Sequence, residues 1–261
     1  MKKGGYEMPR ANRHYIPGLT WHITHRCHKK EYLLKFPRDR KKWLSWLFQA
    51  KKKYGLNILN YALTSNHIHL LTFDDGKNNA IPKSIHLASG RTAQEYNRRK
   101  KRRGAFWEDR YNATAVESYS HLLRCSIYID LNMVRAGVVS HPKEWPHCGY
   151  HEILSNRQRY KLIDIDLLIK FLNLNSQKEL RTYYEDSISE SIEANDMKRE
   201  SMWTESIAVG SKVFVERISK KLGYKARGRK LIDHKGTFEL KDKRCSYRHH
   251  FPIKTVQLRQ K

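Results

Sequence analysis

The chain has 261 residues, 39% of them hydrophobic, and its 52 Lys and Arg outnumber 26 Asp and Glu to give a formal charge of +26. That is apolar material for one substantial core, and it argues against two large ones. A compact chain carries such self-repulsion best against a polyanion, and 15 Tyr and 6 Trp supply rings on which unpaired bases can stack, so nucleic acid is the expected partner; the competing reading is a basic protein that is merely soluble.

In chain order, residues 1–18 read as a basic arm ending in a Pro17-Gly18 turn. Residues 19–26 (LTWHITHR) alternate as a strand with Trp21 and Ile23 on one face. Over residues 38–54, Trp43, Trp46, Leu47, Ala50 and Tyr54 recur at helical spacing, and Gly55 stands where a C-terminal cap belongs. Two apolar runs, 56–64 and 67–73, are joined by Ser65-Asn66 and read as a hairpin. Residues 81–103 contain a helix that ends in a basic run closed by Gly104. A further strand is expected at 113–117, then a helix capped by Ser118 or Ser120 and running to Ala136, with Gly137 beyond its end.

The resulting order is β-α-β-β-α-β-α. Its first six elements match the ferredoxin-like split βαβ plan, an α+β fold in which an antiparallel sheet carries helices on one face. Residues 138–160, with Pro142, Trp145 and Pro146, read as a loop packed back on the core. From about Asp164 the chain turns helical and charged; 213–222 is amphipathic, and the segment after Gly223 is basic, poorly periodic and read as flexible. The expected organisation is an arm (1–18), a domain (19–160) and a helical, basic C-terminal extension (161–261).

Cys27, Cys125, Cys148 and Cys245 form neither a CxxC pair nor a zinc-type spacing, and the first two read as small core residues. The start is polar, and no run of about 18 apolar residues exists to span a membrane. A cytoplasmic, reduced protein is expected, nucleoid-associated when bound to DNA, with no membrane partner.

His67 and His69 stand two apart on a strand, so their imidazoles share a face and can clamp a divalent metal. Alone the pattern is weak, because 14 histidines will produce such spacing by chance. Tyr128 and Asn132 are four apart on a helix. Asn132 offers a carbonyl oxygen to a hard metal, and Tyr128 is a phenol placed to attack a phosphate that the metal polarises. The plain alternative is a core-edge Tyr and a surface Asn. Arg98, Arg99, Lys100, Lys101, Arg102 and Arg103 form the densest positive patch, suited to salt-sensitive phosphate contacts or else a solvated helix end. His22, His25 and His28 read as solvated or DNA-facing, Trp43 and Trp46 as helix core, and His249-His250 as incidental.

Together, His67-Ile68-His69 and the later Tyr-x-x-x-Asn resemble the HUH-type single-tyrosine transposases, and more closely the REP-associated tyrosine transposases of bacteria. The resembling stretch runs from Met8 to about Leu154 and includes MPRANRHYIPGLTWHITHR, TSNHIHLL, FWEDRY, YIDLNMVRAGVV and HPKEWPHCGY. Met133 stands where the family usually has Pro, and Asn66 where some relatives have Glu. The resemblance implies Mg²⁺ or Mn²⁺ held by His67, His69 and Asn132, and attack by Tyr128 on single-stranded hairpin DNA of the REP palindrome type. A 5′-phosphotyrosine and a free 3′-hydroxyl would form, and reversal would rejoin the strand. It also implies sequence readout by Arg10, Arg13 and His14, in a monomer or a homodimer. Three rivals remain: a relaxase or rolling-circle initiator with the same chemistry, a non-catalytic nucleic-acid-binding protein that keeps the fold, and, weakest, a metal-dependent hydrolase, for which no Asp or Glu motif supplies a water-activating base.

Overall fold

The computed structural model describes residues 16–155, 160–195 and 197–242. The arm residues Arg10, Arg13 and His14, together with Cys245, His249 and His250, lie outside the described residues. The first part of the chain follows the expected order: β1 (Leu19–Arg26), α1 (Pro37–Tyr54), β2 (Asn57–Leu63), β3 (His67–Asp74), α2 (Ala80–Arg99), β4 (Asn112–Val116) and α3 (Ser120–Asp130). Pro37 opens α1, where a missing N–H costs nothing, and Gly55 closes it at φ 70°. Trp43, Leu47 and Ala50 recur along its buried face.

β1 is a central strand. It pairs antiparallel with β3, placing Thr24 opposite His69 and Arg26 opposite His67, and with β4, placing His22 opposite Thr114. Side chains alternate across the sheet, so β1 addresses two different layers. Ile23 and His25 face the α1–α2 layer, where His25 meets the Ser89 hydroxyl of α2 at 3.2 Å. His22 faces the opposite side, where its ring meets Tyr128 of α3. The split βαβ plan with α1 and α2 together on one face is the one read from the sequence; α3 and the later helices cover the second face.

α3 does not run unbroken to Ala136. Leu131, at ψ 3°, separates it from a one-turn helix, α4 (Asn132–Arg135), so Tyr128 and Asn132 sit on successive helices. Tyr119, at φ 64°, precedes α3 without a side-chain cap, in place of the expected serine. The 138–149 stretch packs back on β2 as expected: the Trp145 indole donates to the Leu63 carbonyl and the Gly149 amide to the Tyr61 carbonyl.

The remainder comprises α5 (Tyr150–Leu154), α6 (Ile165–Leu172), α7 (Gln177–Glu193), α8 (Met202–Glu205), β5 (Ala208–Gly210), α9 (Lys212–Leu222), β6 (Arg229–His234) and β7 (Thr237–Asp242). The C-terminal part is therefore helical but also adds three strands. β5 pairs parallel with β4, and the β6–β7 hairpin extends it, giving a seven-stranded sheet in the order β2-β3-β1-β4-β5-β7-β6. Residues 229–242 are thus ordered sheet, where a flexible tail was expected. The turn signal is present, since Lys235 and Gly236 both have positive φ, as a tight two-residue hairpin loop requires. The strand signal is not, because most of β6 is exposed and shows no buried alternate face.

A buried polar knot ties this extension to α3. Tyr184 of α7 donates to the Asp130 carboxylate at 2.6 Å, and Asn60, at a bulge in β2, reaches Ser126 Oγ, Tyr184 Oη and Asp130 Oδ2 at 2.7, 3.1 and 3.2 Å. Gly149 lies against the knot so closely that a Cβ there would sit 1.9 Å from Asn60 Oδ1.

Candidate active site

The site forms on the sheet face covered by α3, where β1 and β3 run side by side. His67 and His69 project from β3 with ring centroids 4.8 Å apart. The Tyr128 ring stands edge-on to His69 at 6.2 Å and to His22 at 6.3 Å. The side chain of Asn132 lies beside His67, close enough to influence its protonation. His67, His69, Tyr128 and Asn132 are therefore brought together despite the break at Leu131.

The proton positions on both histidines follow from their neighbours. Nδ1 of His67 lies 2.7 Å from Asn66 Oδ1, an acceptor because the Asn66 amide nitrogen donates to the Lys30 carbonyl. It also lies 2.9 Å from the Thr64 hydroxyl. Nδ1 of His69 lies 2.9 Å from Nε2 of His22, whose own Nδ1 donates to the Trp203 carbonyl at 2.7 Å. Nε2 of His69 is buried without a protein partner, as is the amide nitrogen of Asn132. A bare, buried imidazole nitrogen beside a second imidazole and a carboxamide suits a divalent cation, which takes lone pairs and needs no proton from its ligands. No cluster of three His, Cys, Asp or Glu that could hold a metal exists among the described residues, and the side chain beside the histidines that could add an oxygen donor is Asn132.

Electrostatics favour the neutral, ligating state. Burial pushes both His22 and His67 down to about 4, with Arg26 the next largest influence on His67. Burial likewise lowers His69 well below the usual histidine range. The Tyr128 phenol is raised by burial, and Arg135 opposes that shift. The Arg135 guanidinium stacks 4.0 Å over the Tyr128 ring and also donates to the Tyr128 carbonyl. Trp203 packs on the other flank of the tyrosine, ring centroids 6.4 Å apart.

Several of these residues are not in the sequence-derived set. His22 was expected to be solvated or DNA-facing; it is 1% exposed and bonded to His69. His25 is also buried, held by Ser89 and the Asp109 carbonyl. Solvent-facing roles for both are corrected, because the first strand lies at the centre of the sheet. Arg135 carries a legible signal, standing two helical turns beyond Tyr128, whereas nothing in the sequence marks Trp203.

The basic run ends α2 and enters the loop to β4. Arg98, Arg99, Lys100, Lys101 and Arg103 are exposed, and Arg102 is half-buried. Arg99 also pairs with Asp39 of α1, and Arg102 donates to the Ala105 carbonyl at 2.8 Å and pairs with Glu31. Arg38, Lys41, Lys42, Arg98 and Arg99 line an open cleft of about 820 Å³ between α1 and α2. The same connection returns to the site, since the Glu108 amide donates to the carbonyl of Arg26, the partner of His67 across the β1–β3 pair.

A histidine pair on a split βαβ sheet, faced by a helical tyrosine, is the arrangement for which the sequence resembles single-tyrosine transposases. Residues 15–132 match the family model described as transposase IS200 like. The match spans β1 through Asn132 and so includes both histidines and the tyrosine. Among solved structures, a REP-associated tyrosine transposase bound to a REP hairpin is similar at 18% identity over 60% of this chain and 93% of that one, with a TM-score of 0.46. A putative transposase from Deinococcus radiodurans R1 is similar at 17% identity over 53% of this chain and 92% of that one, with a TM-score of 0.32. No curated protein matches the chain. Among the described residues no helix is long and apolar enough to cross a membrane.

Proposed function

We propose that this protein is a transposase, a metal-dependent strand transferase of the REP-associated kind, which nicks single-stranded hairpin DNA through Tyr128 and rejoins it. The observation that carries the reading is the bare, buried Nε2 of His69, set beside His67 and Asn132 and directly against the Tyr128 ring. Bound there by His67, His69 and Asn132, Mg²⁺ or Mn²⁺ would offset the charge that develops on the scissile phosphate oxygens.

The protein's own groups do the rest. The Tyr128 oxygen attacks phosphorus in line, forming the phosphotyrosine bond as the bond to the 3′ oxygen breaks. The phenol gives up its proton and the departing 3′ oxygen gains one, so no net charge is created. Burial resists ionisation of Tyr128, and the guanidinium stacked on its ring favours the phenolate. Attack by another 3′-hydroxyl on the 5′-phosphotyrosine reverses these steps and restores the phosphodiester, with no nucleotide energy source.

The backbone of the single strand would pass the cationic side chains of Arg26, Arg135 and Arg199, all of which act electrostatically on His67. The duplex stem would lie against the basic run at 98–103, with residues 10, 13 and 14 reading sequence. Tyr128 meets the three candidate ligands within one chain, so the proposed cleavage asks for no residue of a second copy.

The test is incubation of the protein with labelled hairpin oligonucleotides from palindromes flanking its own gene, with Mg²⁺ or Mn²⁺, followed by denaturing electrophoresis. A covalent adduct that disappears with Tyr128→Phe, with His67→Ala and with chelator is the expected result. DNA that is retarded but never covalent, across several palindromes and both metals, would replace this reading with that of a binding protein.

A further inference from the structure

Among the contacts that the chain beyond the family match makes with the site, the backbone carbonyl of Trp203 is the one that reaches the histidines by a hydrogen bond, through His22. That carbonyl is held in place. Trp203 is fully buried, and the chain just after it is fixed to the central sheet by Thr114, whose hydroxyl donates to the Ser206 carbonyl at 2.6 Å, and by the Ala115 amide, which donates to the Ile207 carbonyl at 2.7 Å. Ser206 is anchored from its other side by Glu239 of β7.

A carbonyl can only accept, so the Nδ1 of His22, 2.7 Å from it, carries a proton. A neutral His22 then has a bare Nε2, and His69 must supply the proton in the 2.9 Å contact between them. His69 is thereby protonated on Nδ1, and its Nε2 keeps a free lone pair. The opposite arrangement, with a charged His22 donating to His69, would bury a cation and leave the one proton of His69 on Nε2 with nothing to accept it. The chain Trp203 carbonyl, His22, His69 therefore has one low-energy proton arrangement.

We propose that His22 and the Trp203 carbonyl form a positioning relay that locks His69 in its Nδ1–H tautomer and so presents Nε2 to the divalent ion. The C-terminal extension, through α8 and β5, is then part of the catalytic site's construction and not only an added DNA-binding surface. His22 touches neither the ion nor the DNA in this arrangement; it acts through His69. The inference rests on the metal-dependent reading above.

The experiment has two arms. In metal-free protein labelled with ¹⁵N-histidine, NMR of the imidazole nitrogens should show His69 protonated on Nδ1 and bare on Nε2. A proton on Nε2 overturns the relay, whether or not metal binds. In the second arm, Mn²⁺ affinity is measured by calorimetry for the wild type, His22→Phe and His22→Gln. Loss of an outer partner of this kind weakens metal binding about 10- to 100-fold. His22→Phe should show that loss, and His22→Gln, whose side-chain oxygen can accept from His69, should recover most of it. Folded His22→Phe with wild-type affinity would contradict the proposal, and the tautomer measurement stands if that variant does not fold. Wild-type protein that binds no Mn²⁺ would sink the functional reading, which separates that failure from failure of the relay.

Discussion

Replacing Tyr184 with Phe probes how firmly the C-terminal helices hold the tyrosine-bearing helix. The ring is fully buried, and the substitution leaves its volume nearly unchanged, so no cavity term enters. What disappears is the hydroxyl that donates to Asp130 at 2.6 Å and meets Ser126 at 3.0 Å. A hydrogen bond to a charged group contributes about 1.5–3 kcal/mol, and the carboxylate keeps Asn60 as a second donor at 3.2 Å, so the loss should fall near the lower end, about 2 kcal/mol. Burial pushes the Asp130 carboxyl up to about 7, so the full effect belongs above that pH, and a neutral hydrogen bond of about 1 kcal/mol should remain at pH 5. Urea unfolding of the wild type and Tyr184→Phe at pH 5 and pH 8.5, at equal denaturant slopes, reads both numbers. A destabilisation below about 0.5 kcal/mol at pH 8.5 would show that α7 is not coupled to α3 through this knot.

Other outcomes follow from the same structure. Asp130 has a folded pKa above its unfolded value, so the stability it contributes is fully present below about pH 4 and is lost as pH rises through about 7; the stability of Asp130→Asn relative to wild type should therefore rise between pH 5 and pH 8, and a flat difference would exclude the buried-carboxyl assignment. Removing Arg135, which lies 4.0 Å over the Tyr128 ring, should slow adduct formation by about 10- to 100-fold, with Arg135→Lys intermediate; single-turnover rates unchanged in Arg135→Ala would remove it from the site. Replacing Arg98, Lys101 and Arg103 together with Ser should reduce the slope of log affinity against log salt by about 2.7, whereas Arg99→Ser and Arg102→Ser should also lower thermal stability, because those two side chains hold Asp39 and the Ala105 carbonyl. An unchanged salt slope would move the phosphate contacts elsewhere.

The sequence was legible wherever one face of an element is buried and the other is not. α1 and α2 show apolar spacing that matches their packing, and Gly55 ends α1 as its type requires. The pairing of His67 with His69 follows from strand geometry alone, and Asn132 comes to lie beside His67 even though the helix breaks before it. His22 was misread because its surroundings are set by register: it lies beside His69 only because β1 and β3 pair antiparallel with Thr24 opposite His69, which no local pattern specifies. Trp203 is 181 residues from its histidine partner and contributes a main-chain atom, which leaves no trace in residue type. The β6–β7 hairpin was missed for the opposite reason, since a mostly exposed strand gives no alternation to read.

Mass spectrometry of the DNA-linked peptide tests the central claim most directly. After reaction with hairpin DNA and Mn²⁺, proteolysis and nuclease trimming, the account requires a nucleotide joined through its 5′-phosphate to Tyr128, with the released strand ending in a 3′-hydroxyl. A link to any other residue, or attachment through a 3′-phosphate, would contradict it.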